Sequence, residues 1–358
     1  MSSSRAIYLG DAGDLSIREI NETYTPTGDQ SLVSVKYSAI NPADLRHFYV
    51  GIHSSVAGYE YIGPVLATGP ESPFKKGDIV FGVAKVGHKK PLAFGAHQDF
   101  MLVEPFMTDK LPAPLAAREA EWPQFVGWPA SVRSARDKEE GKVNHGWVVD
   151  GTDPRGKTIL IWGASSSVGL TTLHFARIAG FSPIFVTASS HNHSTLLELG
   201  ATACFDHRSP SVVADIRAAV TASGKPLSNI FDAVTIGTGF AAPDSGVPLD
   251  FSKSSPAIAK QCLTPGIPKE DIQVCASLGV EFDPDWSFCL SFRTKQDAPL
   301  YHDRMAAVLE WFFEHMDESG FRFPKVKIVN GAEEGIEMIK KVFEGKVSME
   351  KVVIQHPI

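Results

Sequence analysis

The chain has 358 residues, a formal net charge of -7, 43% hydrophobic and 21% charged residues. At roughly 150 residues per domain this length holds about two domains, each with a substantial core. The acidic balance argues against a nucleic-acid partner, and no apolar run approaches the roughly 20 residues needed to cross a bilayer, so neither nucleic acid nor membrane is expected.

The opening MSSSRAIYLG lacks the apolar core of a secretory signal. Cys204, Cys262, Cys275 and Cys289 are widely spaced and form no CxxC pair, which reads as a reduced, cytoplasmic protein.

The first third is β-rich. Ser31–Ala39 alternates like a half-buried strand, and Gly and Pro punctuate the short apolar runs Tyr61–Ala67, Ile79–Val83 and Phe100–Val103. This spacing predicts a small barrel-like domain. Helix formers in Ala116–Gly141 are interrupted by Pro123 and Pro129, so short or bent helices are expected there. Asn144–Gly156 reads as a polar loop.

The middle alternates strand and helix. Strands are predicted at Lys157–Trp162, Pro183–Thr187, Ala201–Phe205 and Ile230–Ile236. Helices are predicted at Val168–Ala179, Asn192–Leu199 and Val212–Val220. Ser255–Cys262, Ile272–Leu278 and Tyr301–Met316 continue the series, with Ser277–Leu300 the least legible stretch. Such alternation predicts a doubly wound parallel sheet, an α/β fold. The end returns to β character, with Lys325–Val329 and Lys351–Gln355 around a helix at Glu333–Phe343. The expected division is 1–124 with 319–358 as the β-rich domain, and 125–318 as the parallel-sheet domain.

Strand Lys157–Trp162 runs into Gly163-Ala164-Ser165-Ser166-Ser167-Val168-Gly169 and then a helix. A strand, a small-residue turn and a helix N-terminus make an anion site, because free N–H groups and the helix dipole point at a pyrophosphate. Gly163, Ala164, Ser165, Ser166, Ser167 and Val168 are therefore the expected cofactor contacts. An unliganded serine-rich turn is the plainer alternative. After the next strand an NAD site usually carries Asp or Glu for the ribose. Here Ala188-Ser189-Ser190-His191-Asn192-His193 follows, with no carboxylate before Glu198. Ser189, Ser190, His191 and Asn192 can bond a 2′-phosphate, so the expected cofactor is NADPH. These residues also suit a helix cap. His207 and Arg208 follow the third strand, and one of them is expected to reach the adenosine phosphate.

These segments, together with several others, resemble the medium-chain dehydrogenase/reductase superfamily. Ala39-Ile40-Asn41-Pro42-Ala43-Asp44 is similar to its INPxD segment. Gly58-Tyr59-Glu60 and Gly77-Asp78-Ile79-Val80-Phe81-Gly82 look like its glycine-rich stretch. Gly95-Ala96-His97-Gln98-Asp99-Phe100 and the closing Gly345-Lys346 with Lys351-Val352-Val353 also match in order. The serine-rich turn most resembles a fungal branch of trans-acting enoyl reductases and zinc-binding alcohol dehydrogenase-like proteins of polyketide pathways. The resemblance implies a GroES-like catalytic domain with a Rossmann domain. It carries cofactor contacts onto Asn41, Pro42, Val347 and Ser348, and implies reduction of an activated C=C bond.

Zinc members of the superfamily use Cys and His ligands in the first domain. This chain has no cysteine before Cys204, and Tyr59 replaces the ligand histidine, so no metal is expected. The dispersed histidines, His97 among them, read as solvent or hydrogen-bonding residues. No GxSxG elbow supports hydrolysis. Arg46 is the candidate catalytic cation, which stabilises charge but is a poor proton donor; His47, Tyr49, Tyr59 or water could give the proton. Phe125 and Trp128 could line an acyl pocket or pack in the core. Two departures stand out: proline at Pro129 where relatives place threonine, and Ser166 where many carry glycine.

The expected function is an NADPH-dependent enoyl reductase acting on an acyl thioester or small molecule, beside a polyketide synthase, as monomer or homodimer. The alternatives are a quinone or enone reductase on free small molecules, and an NADPH-binding protein with little turnover.

Overall fold

A computed structural model of the chain describes residues 4–127, 153–289 and 301–358, with side chains from 306 onward in the last segment. Trp128, Pro129, most of the Ala116–Gly141 stretch and most of the Asn144–Gly156 stretch lie outside the described residues. The chain divides into two compact units, one within Met1–Ala130 and Pro324–Ile358, the other within Ser131–Ser291 and Asp303–Phe323.

The β-rich unit opens with a hairpin that sequence reading missed. Ser4–Leu9 pairs antiparallel with Leu15–Ile20, and Ser55–Val56 adds to the other edge. Its turn is closed by Gly10 N–H to Asp14 O, 2.8 Å. The expected strand Ser31–Ala39 is two strands. Ser31–Ser34 pairs with Phe100–Val103, and Tyr37–Ala39 pairs with the closing strand Glu350–Gln355. The chain changes partners at Val35-Lys36, whose N–H groups bond Asp99 O and Ile62 O. Gly63 permits the crossing, because a Cβ there would lie 1.9 Å from Ser34 O. Strand Glu60–Thr68 binds both halves and Ile79–Val83. Lys325–Asn330 runs parallel to Glu350–Gln355. Helix Gly331–Phe343 packs its apolar face, including Met338 and Ile339, against Ile7, Ile40 and Ile354.

The second unit is a six-stranded parallel sheet in the order Ala203–Phe205, Ile184–Thr187, Thr158–Trp162, Leu227–Asp232, Gln273–Ala276, Ser287–Phe288. The central strands TILIW and IFVT are buried at every residue, as a sheet covered on both faces requires. The order reverses between Thr158–Trp162 and Leu227–Asp232. Crevices outside the carboxyl ends of strands at such a switch point are where open α/β sheets bind ligands. The fold is the α/β class expected from sequence, a β-rich domain with a doubly wound parallel sheet.

The strand expected at Ile230–Ile236 is instead Leu227–Asp232, starting earlier and ending at Asp232. The buried Asp232 carboxylate accepts the N–H groups of Val234 and Thr235 at 3.0 and 2.9 Å and the Ser255 hydroxyl at 2.6 Å. That turn takes Thr235 into the left-handed region at φ 47, which no strand continues. Among the described residues no helix is long and apolar enough to cross a membrane.

Candidate functional site

In the parallel-sheet unit, strand Thr158–Trp162 delivers the chain to Gly163, whose φ of 81 is left-handed. A Cβ there would meet Val234 at 2.6 Å. Gly163 and Ala164 N–H groups are anchored on Thr187 Oγ1 and Thr187 O, at 3.0 and 2.9 Å, so the turn is held by the next strand. The helix Ser167–Ala179 then starts against its own turn: a Cβ on Gly169 would lie 2.3 Å from Gly163 O and 2.8 Å from Ala164 Cα.

Ser166 is the N-cap. Its Oγ accepts the Gly169 N–H at 3.0 Å and donates to Gly163 O at 2.9 Å. The serine that departs from the family's glycine is thus a built part of the turn, and its side chain is already spent. The N–H groups of Ser165, Ser167 and Val168 have no hydrogen-bond partner among the described residues. Three free donors at a helix start, with the dipole behind them, suit a diphosphate. The glycines leave the room it needs, so these residues fit a dinucleotide.

After Ile184–Thr187 comes buried Ala188, then Ser189, exposed Ser190 and His191, and buried Asn192. Neither Ser189 nor Asn192 caps the helix with its side chain. His193 Nε2 lies 3.1 Å from Ala188 O and so is held by backbone. His207 is exposed. Arg208 is taken up by Asp206, with Nε and Nη2 at 3.0 and 2.9 Å from the two carboxylate oxygens.

In the β-rich unit, Gly58, Tyr59 and Glu60 each support a different part of a buried polar cluster. Gly58, at φ 88, leaves room for His97, which a Cβ would touch at 2.6 Å. Glu60 Oε2 accepts Asn41 Nδ2 at 2.8 Å and Lys351 Nζ at 2.7 Å, while Lys351 also donates to Asn41 Oδ1 at 2.7 Å. Asn41 is therefore held on three sides, its N–H going to Asp44 Oδ2 at 2.7 Å. Pro42 and Ser348 are exposed. Val347 packs its side chain partly into the Ile40–Ile354 cluster.

Tyr59 and His47 share a hydrogen bond of 2.5 Å. Lys90 Nζ lies over the Tyr59 ring, 4.5 Å from its centroid. Lys90 is 6% exposed, and its Nζ has no hydrogen-bond partner among the described residues. Burial brings the Lys90 ammonium down to about 8, with Asp44 partly opposing. Burial likewise pushes His47 down to about 4 and holds the Tyr59 phenol far above its ordinary range. Asp44 Oδ1 is also buried and unpartnered among the described residues.

Arg46, the cation expected from sequence, is half-buried, lowered by desolvation, and without an ion pair among the described residues. Lys90 was missed because a Lys89-Lys90 pair reads as solvated surface; lysine is almost never fully buried unless paired. Phe125 is 1% exposed in the β-rich core, so its packing role is met there. Trp128 lies outside the described residues. Among the described residues no group of three His, Cys, Asp or Glu side chains could hold a metal ion.

Comparison with known proteins agrees with this architecture. Residues 27–113 match the alcohol dehydrogenase GroES-like domain. The chain is 32% identical to the dehydrogenase orsE of Emericella nidulans over 268 residues, 68% of this chain and 73% of that protein. It is 30% identical to the trans-enoyl reductase resD of Aspergillus sclerotiorum over 216 residues, 57% of this chain and 60% of that one. Among solved structures, CurK enoyl reductase aligns over 99% of this chain and 98% of its own, with a TM-score of 0.66 at 17% identity. The chain belongs to the medium-chain dehydrogenase/reductase superfamily, and it is an oxidoreductase of the enoyl-reductase-like kind.

Proposed function

We propose that the chain is an NADPH-dependent, metal-independent enoyl reductase of the cytoplasm, reducing an activated C=C bond of an acyl thioester made by a polyketide-type synthase. The observation that carries the cofactor choice is the segment after Ile184–Thr187: serines, a histidine and an asparagine stand where NAD sites place a carboxylate. Ser165, Ser167 and Val168 would hold the diphosphate, and Ser189, Ser190 and His191 the 2′-phosphate, with His207 beside them. The relatives named trans-enoyl reductases support the reaction.

When bound, the cofactor supplies a hydride for the β-carbon of the acceptor. Negative charge then develops on the acceptor's carbonyl oxygen and must be met by a preorganised donor. In this reading Lys90 takes that task. A buried ammonium with no acceptor carries an unmet demand worth several kcal/mol, and a carbonyl oxygen answers it. Its lowered proton affinity also lets it give up a proton near neutral pH. Arg46, always charged, supplies a second cation but no proton. His47, held low by burial, keeps Tyr59 in place as the platform beneath Lys90.

The test is consumption of NADPH with a crotonyl-type thioester, followed by the mass of the product. A product heavier by two hydrogens supports the reading. Consumption with a quinone and none with the thioester moves the protein to the quinone reductases. Binding of NADPH without turnover on any acceptor makes it a binding protein.

A further inference from the structure

Lys89 and Lys90 are adjacent and alike, yet they lie in opposite surroundings. Lys89 is exposed, while Lys90 is 6% exposed and its Nζ has no hydrogen-bond partner among the described residues. The turn that carries them decides this. Strand Ile79–Val83 is tied down just past its end, where Ala84 N–H bonds Tyr59 O at 2.6 Å. The chain then leaves the strand through Lys85, Val86 and Gly87. Lys89 takes φ 58, in the left-handed region, before Pro91 leads into the short helical turn Leu92–Phe94. A left-handed lysine is strained, because its Cβ crowds the carbonyl that follows.

The burial of Lys90 adds a second cost. The face of the Tyr59 ring, 4.5 Å away, compensates part of its charge. Its N–H donors remain unmet, and that is expensive in a dry site. Both costs push the same way. Relaxing Lys89 and rolling the turn outward would return the ammonium to water on its four-carbon stem.

His88 stands where it can oppose that motion. Its Nδ1 lies 3.1 Å from Gly51 O. A carbonyl oxygen only accepts, so Nδ1 carries the hydrogen and donates it. Gly51 ends the helical run Ala43–Val50 that carries Asp44, Arg46 and His47. At φ 77 it closes that run in the left-handed conformation, its N–H returning to Phe48 O at 3.0 Å. A Cβ on Gly51 would lie 3.4 Å from His88 Cε1, so the imidazole seats against the bare glycine. The other hold on the turn is weaker: Lys85 pairs with Glu104 at 3.0 Å, where both side chains are open to water.

We propose that His88 is a positioning residue for the reduction: its bond to Gly51 latches the strained turn, keeps Lys90 dry, and fixes it to the helical run of Arg46 and His47. The proposal rests on the reading of Lys90 as the donor to the acceptor's carbonyl oxygen. His88 acts through Lys90 and takes no part in the chemistry. The groups that bear on Lys90 from neighbouring elements are Tyr59 and His47, both kept neutral by burial, and Asp44, whose charge favours the ammonium. Arg46 acts on His47 from the same helical run. The turn itself contributes Lys85, His88 and Lys89.

The test is a titration of Lys90, read from its ¹³Cε signal in the full chain labelled with ¹³C-lysine. The signal missing from Lys90→Arg identifies it. In the wild type the midpoint should be about 8. His88→Ala should move it toward the ordinary 10.5, by roughly half a pH unit or more, as water reaches the ammonium. The exposed position of His88 means that Tm should hardly change. His88→Asn keeps a donor near the Nδ1 position and should titrate like the wild type. Adding Lys89→Gly to His88→Ala removes the strain and should bring the midpoint part of the way back. The fall of the thioester rate at high pH should follow the same order, with the KM for NADPH unaltered. A His88→Ala midpoint equal to the wild type's, or a wild-type midpoint near 10.5, would overturn the latch. A double variant titrating no lower than His88→Ala would equally overturn it. A wild type that reduces no enoyl thioester would instead sink the reductase reading and leave the titration to decide the latch.

Discussion

Lys351 Nζ lies 2.7 Å from Glu60 Oε2, with the two side chains 5% and 0% exposed. The pair joins the last strand of the chain to the long Glu60–Thr68 strand, although those strands are separated by Tyr37–Ala39. Asn41 completes the triangle. Removing one partner strands the other charge in a dry interior, which costs on the order of 3–5 kcal/mol. Lys351→Met should therefore lower stability by about that much, and the double variant Lys351→Met with Glu60→Gln by clearly less than the sum of the two singles. Urea unfolding of the four proteins checks this; strict additivity would show that the pair is not coupled.

The phosphate turn separates two roles that its serines share in sequence. Ser166→Ala removes an N-cap and should cost about 1 kcal/mol of stability, with NADPH affinity within a few-fold of wild type because that hydroxyl is already bonded inward. Gly169→Ala forces a methyl onto the Gly163 carbonyl and should cost tenfold or more in affinity. Calorimetric titration of both variants decides it; equal losses would contradict this division.

Lys90 sets a pH dependence. In the proposed role its protonated form is the one that acts, and burial brings its pKa down to about 8. The thioester reaction should therefore fall as pH rises through about 8. Lys90→Arg should keep the cation and remove that limb while losing proton transfer. Lys90→Met should lose about 10²- to 10³-fold in kcat, the usual scale for removing one charge-stabilising donor. A Lys90→Met enzyme within twofold of wild type would return the role to Arg46.

His174 is fully buried, with its ring 4.6 Å from that of Phe321, and burial lowers it from 6.5 to about 4. The unfolded chain takes up a proton below about 6.5 and the folded one does not until about 4. Stability from this group is thus fully present above pH 6.5 and is lost as pH falls toward 4, on the order of 3 kcal/mol in all. His174→Phe should flatten the acid limb of the stability curve measured by urea unfolding. An unaltered limb would show that other groups carry it.

Much of this protein is written in local pattern. The strands Ile79–Val83 and Phe100–Val103 were read residue for residue, because Gly and Pro bound their apolar runs. The helix beginning at Ser167 announced itself by small residues followed by apolar spacing. What stayed hidden depends on distant partners. The break at Val35-Lys36 follows from a change of neighbouring strand. The end of Leu227–Asp232 follows from a carboxylate folding back on its own turn. Lys90 and His356 look like surface residues until the chain closes over them, and Ser38, His97 and His356 are brought together from three widely separated segments.

In the proposed function the turn at 163–169 and the segment at 189–192 hold NADPH in preference to NADH. The direct measurement is calorimetric titration of the purified protein with each nucleotide, repeated on Ser190→Asp, which restores a carboxylate beside the ribose. NADPH should bind at least tenfold tighter than NADH to the wild type, with a narrowed or reversed preference in the variant. Equal affinity for both nucleotides, or none for either, would contradict it.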